Sequence, residues 1–132
     1  MNAPSFDIVA MLESGELELY YNDNLFIGTE PPKPRDCVTI FDTAGRAPQM
    51  LLDPENDGYE YPSIQIRVRN IDYLLGWTLI ENIKALLHGK HQETWNDTLY
   101  SVIYCASGPA LLDKDDNGNC RFIINFNIER RQ

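Results

Sequence analysis

The strongest constraint on the fold lies between Tyr61 and Leu87, where a period of two passes directly into a helical period. Ile64, Ile66 and Val68 alternate with Gln65, Arg67 and Arg69, which predicts a strand with one apolar and one wet face. Asn70 is the expected helix cap, with Asp72 adding negative charge where the helix dipole favours it. Leu75, Leu79, Ile83, Leu86 and Leu87 then form one apolar stripe, and Gly89 follows as the terminating residue. Strand and helix are expected to pack face to face, with Tyr73, Trp77, Glu81, Lys84 and His88 turned away from that stripe.

A chain of 132 residues has room for one sheet and a layer of helices but not for two independent cores, so residues 1–132 read as a single domain. No apolar run approaches the roughly 18 to 20 residues needed to cross a bilayer. The start, Met1-Asn2-Ala3-Pro4, carries neither a basic region nor an apolar signal core, so folding in the cytoplasm and no membrane partner are expected. Cys37, Cys105 and Cys120 are odd in number and scattered, which reads as three reduced thiols. The net charge of -9 argues against a surface that grips phosphate, because nonspecific nucleic-acid binding needs clustered Lys and Arg.

Around the central unit, Ile8, Val9, Met11 and Leu12 predict a short amphipathic helix from Ser5, a possible cap, to Glu13, with Gly15 as a stop. Leu25 to Gly28 reads as a brief strand, and Glu30-Pro31-Pro32-Lys33-Pro34 as a rigid extended connector. Cys37 to Asp42 is a strand that the turn chemistry of Thr43-Ala44-Gly45-Arg46 is expected to close. Ala47 to Glu60 reads as a long exposed excursion. Thr98 to Ala106 is a strand with Tyr100, Val102 and Tyr104 on one face and Leu99, Ser101, Ile103 and Cys105 on the other. The last strand sets Phe122, Ile124, Phe126 and Ile128 against Arg121, Asn125, Asn127 and Glu129. This order predicts an α+β fold: a single mixed or antiparallel sheet with helices packed on one face.

Several motifs invite chemistry and fail on inspection. Asp42-Thr43-Ala44-Gly45 copies a GTPase DxxG segment, but the phosphate loop that must accompany it is missing. Asp113, Asp115, Asn117 and Gly118 match the first half of a calcium loop, yet Ile124 stands where a bidentate Glu is required. Asn-Gly between two strands reads instead as a polar hairpin turn. His88 and His91 have no Cys or carboxylate at ligand spacing, and no nucleophile comes with base and orienter. No catalytic, cofactor-binding or metal-binding residue is expected. Tyr73 and Trp77 remain, with two readings open: they lie under the N-terminal helix, or with Glu81 and Lys84 they form a subunit interface.

Phe26-Ile27-Gly28, Pro31-Pro32, Asp36-Cys37-Val38, Phe41-Asp42-Thr43, Gly45-Arg46-Ala47-Pro48 and Tyr59-Glu60-Tyr61-Pro62, in this order, resemble a phage minor capsid protein family related to tail terminators. The likeness continues through Ile66 to Arg69, Leu86 to Gly89, Gly108-Pro109, Asp116 to Gly118 and Asn125-Phe126, and so spans nearly the whole chain. The resemblance implies a non-enzymatic virion protein of a long-tailed phage, assembled in the host cytoplasm. It would cap the tail tube and form the joint to the head, as a six-fold ring around the DNA channel. Its partners would be copies of itself, the tail tube protein and a head completion or connector protein, with DNA passing through without sequence-specific binding. The docking loops expected on this reading carry Arg46, Asp53 and Asp57 at one site and Asp113, Asp115, Asp116 and Asn117 at the other. The alternatives are a head completion protein of the neck and, from a different class, a small cytoplasmic enzyme or binding module.

Overall fold

Period-two alternation leaves a strand one way to bury its apolar residues, and the central strands follow it. The computed structural model describes residues 1–47 and 58–132, so Asp53, Asp57 and most of the expected excursion lie outside the described residues. The elements are α1 (Pro4–Glu13), β1 (Leu25–Ile27), β2 (Cys37–Arg46), β3 (Tyr61–Asn70), α2 (Tyr73–Leu87), β4 (His91–Trp95), β5 (Thr98–Lys114) and β6 (Cys120–Arg131). One sheet of order β1-β2-β3-β6-β5-β4 results; β1 runs parallel to β2 and every other pair is antiparallel. This is the mixed α+β sheet expected from the sequence. In its middle Ile40, Ile66 and Ile124 lie side by side in register and are fully buried. Both helices cover this face, and Ile8, Met11, Leu12, Ile80, Ile83 and Leu87 join the strands in one core.

The other face is polar and laced across the strands. Ser63 Oγ donates to Asn127 Oδ1 at 2.7 Å, Gln65 Nε2 to Asn125 Oδ1 at 3.2 Å, and Asn125 Nδ2 to Ser107 Oγ at 2.9 Å. The sheet curls toward this face, so that Ala44 of β2 and Tyr104 of β5 line one hollow of about 320 Å³.

Five expectations need correction. The buried stripe of α2 is Gly76, Ile80, Ile83 and Leu87; Leu75 is 63% exposed, and Leu79 and Leu86 are only partly buried. Apolar residues surround much of this helix, so their spacing permits two phases. Contact decides between them, because a Cβ on Gly76 would lie 2.6 Å from Phe122 Cε2 and only glycine lets the helix come this close. The caps differ too. Asp72, not Asn70, accepts from the Leu74 and Leu75 amides, and α1 starts at Pro4, leaving Ser5 to donate its amide and hydroxyl to Asp42.

The turn expected at Thr43 to Arg46 is a continuation of β2 with a register shift against β3. A Cβ on Gly45 would stand 1.9 Å from the Tyr61 carbonyl oxygen, so the glycine marks a close strand contact rather than a chain reversal. Likewise β5 runs past Ala106 to Lys114, and a shift between Tyr100 and Val102 breaks its simple alternation. Tyr100 and Ile103 therefore both reach the core, while Val102 does not.

Candidate functional site

The flank of α2 carries the aromatic residues expected at an interface. Tyr73 and Trp77 do not lie under α1: their rings meet Phe122 edge-on, with centroids 5.1 and 5.9 Å away. Phe122 is fully buried beneath them, and its cross-strand neighbour on β5 is Leu111, which is 47% exposed. Tyr73 is half-exposed, Trp77, Glu81 and Lys84 are partly buried, and Leu74 beside them is 73% exposed. Ile71, Tyr73, Leu74 and Leu75 thus present four large apolar side chains around the first turn of one helix. Such a concentration on a chain of 132 residues is the kind of patch that marks a contact surface. Further along, His88 Nδ1 accepts from the Cys105 amide at 2.9 Å, and His91 Nδ1 lies 3.0 Å from the Gly89 carbonyl. Gly89 itself has φ +86, as its terminating role requires.

The hairpin between β5 and β6 is organised from within. Asp115 accepts from the Asn117 and Asn119 amides, each at 2.9 Å, and from Asn119 Nδ2 at 3.1 Å. The Asn119 amide foremost holds the Asp115 carboxyl below the usual carboxylate range. Asp113 is tied to Arg121 Nε at 2.6 Å and is likewise depressed, chiefly by that hydrogen bond. The acidic side chains that imitate calcium ligands are therefore committed to the turn and to an arginine. Asp116 and Asn117 stay exposed at the tip, where the Asn117 carbonyl accepts from Arg35.

Next to the hairpin, Arg69 fastens the proline-rich connector. Its guanidinium donates to the carbonyls of Arg35 at 2.9 Å, Pro34 at 2.9 Å and Pro31, and to Glu30 Oε1 at 3.2 Å. Glu30 in turn meets Arg121 at 3.4 Å and Arg67 at 3.9 Å. One carboxylate is thus shared by three guanidinium groups, and the connector, expected to be extended, instead bends through residues 32–36 around Arg69 on the polar face.

At the far end of β3, Arg46 stacks its guanidinium 3.9 Å from the Tyr61 ring centroid. Glu60 pairs with Arg130 through both backbones and through its carboxylate, 3.1 Å from Arg130 Nε. Arg130 continues inward: it donates to the Asn2 carbonyl at 2.9 Å and to the Tyr100 hydroxyl at 3.2 Å, and lies 3.8 Å from Asp7 Oδ2. Asp7, fully buried, accepts from Asn96 Nδ2 at 2.6 Å and from the Tyr100 hydroxyl. Burial foremost, and then the bond to Asp7, push the Tyr100 hydroxyl well above the usual tyrosine range. Reading the residues in order missed this network, although Arg130 falls on the same alternation as Phe126 and Ile128. An arginine at a core-facing position demands a buried acid.

The site residues expected from sequence therefore fall into three separate places. Tyr73, Trp77, Glu81 and Lys84 share the flank of α2, Arg46 stands at one end of the sheet, and Asp113, Asp115, Asp116 and Asn117 at the other. Among the described residues no group of three or more potential metal ligands comes together, and no helix is long and apolar enough to cross a membrane.

A family model described as bacteriophage tail terminator protein matches residues 6–132. The chain belongs to the bacteriophage tail terminator family. Tail terminators are structural virion proteins, so this one is a virion component with a role in the tail or the head–tail joint, not an enzyme. Its fold is similar to that of a chain in the solved structure described as "Virion of native gene transfer agent (GTA) particle". The TM-score is 0.69 at 10% identity, with 98% of this chain and 96% of that chain covered. No curated protein matches the sequence.

Proposed function

We propose that the chain, acting as one unit over residues 1–132, closes the end of the phage tail tube and joins it to the head as a ring, with six copies as the expected number. The observation that carries the reading is the placement of the candidate docking residues. Arg46 and Glu60 stand at one end of the sheet, and the hairpin tip at Asp116 and Asn117 stands at the other. A joint needs two unlike ends, one for the tail tube protein and one for the neck or connector. Lateral contacts come from the flank of α2, where Tyr73, Trp77, Glu81 and Lys84 adjoin the exposed Leu74. The net charge of -9 suits a channel through which DNA slides without adhering. Assembly takes place in the host cytoplasm and the mature location is the junction of tail and neck.

Leu74→Glu tests the lateral contact, because this side chain is exposed and its replacement leaves the core intact. The expected result is an unchanged melting temperature, loss of rings by electron microscopy, and tails unattached to heads in complementation of a phage lacking the gene. Normal yields of infectious particles with this variant would remove the α2 flank from the interface.

A further inference from the structure

Two strands, β2 and β5, reach well beyond the short edge strands β1 and β4 that flank them, so that part of each is paired on one side only. On β2, β1 covers Val38 to Ile40, and the last bond across is from the Gly28 amide to the Ile40 carbonyl, so among the described residues Phe41 to Arg46 are paired with β3 alone. On β5, β4 pairs as far as Val102, the Gly89 amide and the Lys90 carbonyl bond Ile103, and His88 Nδ1 accepts from the Cys105 amide; among the described residues, from Ser107 to Lys114 the ladder partner is β6 alone. Pro109 removes one donor from the upper part of that edge, leaving Ala110 to Lys114 as a continuous open run that exposes Leu111 and Leu112. Open, apolar strand edges are templates for pairing with another chain.

The two edges fit each other. Through β3 and β6, β5 runs antiparallel to β2, so copies repeated head to tail bring β2 of one against β5 of the next in antiparallel sense. Setting Ala44 opposite Leu112 also sets Asp42 opposite Lys114, a pair of opposite charge. The edges are also offset in the way a closed sheet needs. Thr43 shares a register line with Ser63, Asn127 and Tyr104, whereas Asp113 lies opposite Arg121, six positions along β6 from Asn127. Six positions are about 20 Å along a strand, and the four strands from β2 to β5 are about 19 Å wide. A repeat with that offset closes on itself when the strands tilt by about 45°, at the upper end of the tilt found in closed β-barrels. Edges at equal height would instead give an untilted sheet, which barrels do not adopt.

We infer that the subunits are joined by main-chain pairing between Phe41–Arg46 of one copy and Ala110–Lys114 of the next, making one continuous tilted sheet whose inner surface is the polar face. This deepens the ring reading and rests on it, and it is heterologous, as a closed ring requires. Leu111 borders Phe122, beneath Tyr73 and Trp77, so the strand joint and the helix flank form one contact surface.

The test uses two single variants of the full chain, Ala44→Cys and Leu112→Cys, each checked for an unchanged melting temperature, and mixed before assembly. Mild oxidation should give disulfide-linked dimers in the mixture and none in either variant alone. The doubly substituted chain should give a ladder ending at the ring's copy number. Rings visible by microscopy without crosslinks in the mixture would overturn the strand joint while leaving the ring intact. Wild-type protein that forms no ring, even in tail-bearing lysates, and variants that do not crosslink there would overturn both.

Discussion

Gly76→Ala is an informative single substitution, because two ordinary effects oppose one another and the structure says which is larger. On an exposed helix the change from glycine to alanine gains about 1 kcal/mol from restricting the unfolded chain and from helix propensity. Here the new Cβ would stand 2.6 Å from Phe122 Cε2 and 3.1 Å from both Phe122 Cδ2 and Asn70 Cβ. Phe122 has no room to yield: it is fully buried, with Tyr73 and Trp77 edge-on against it. Overpacking of this kind costs about 1–3 kcal/mol. The balance is a net loss of about 1 kcal/mol, and for a chain of this size the melting temperature should fall by about 3–5 °C. Denaturant unfolding with an unchanged m-value is the second measurement. In a Phe122→Leu background the offending ring edge is gone, so the same Gly76→Ala change should become neutral or stabilising. A higher melting temperature for Gly76→Ala in the wild-type background would refute the claim that this contact sets the helix phase.

Ile83→Ala should lose about 2–5 kcal/mol through transfer and cavity terms, whereas Lys84→Ala, on the flank, should lose far less; chemical denaturation ranks the two. The raised titration of Tyr100 sets the sign of an alkaline effect: the unfolded chain releases this proton near the ordinary tyrosine value while the folded chain keeps it. The contribution is therefore fully present below the unfolded value and lost as pH rises toward the folded one. Absorbance titration should find Tyr100 still protonated when exposed tyrosines have ionised, and Tyr100→Phe should flatten the alkaline loss of stability.

The strands at Ile64 to Val68 and Phe122 to Ile128 were legible because a strand with one buried face has a single solution. Slipping it by one residue would expose every isoleucine. The helix phase was not, since apolar residues at 74, 75, 79, 80, 83, 86 and 87 satisfy more than one face and the choice depends on a glycine meeting a ring from another strand. Local turn chemistry misled at Thr43 to Arg46 for a related reason: Gly45 serves a neighbouring strand, and only the fold reveals that neighbour. Among candidate site residues, Asp113 and Asp115 were legible as parts of a polar hairpin, but the partners that occupy them, Arg121 and Asn119, follow from hairpin geometry. The Asp7, Tyr100 and Arg130 network spans nearly the whole chain, and no window of local pattern contains it.

Arg69 holds the connector by what every residue possesses. Three of its four acceptors are main-chain carbonyls, so the grip is indifferent to which side chains positions 31, 34 and 35 carry, provided the chain follows the same path. The exposed side chains of Pro32 and Lys33 are consequently released from any duty to the fold on that account. A lineage can rewrite this outward surface to follow a changing neighbour in the particle, while the guanidinium beneath must stay as it is.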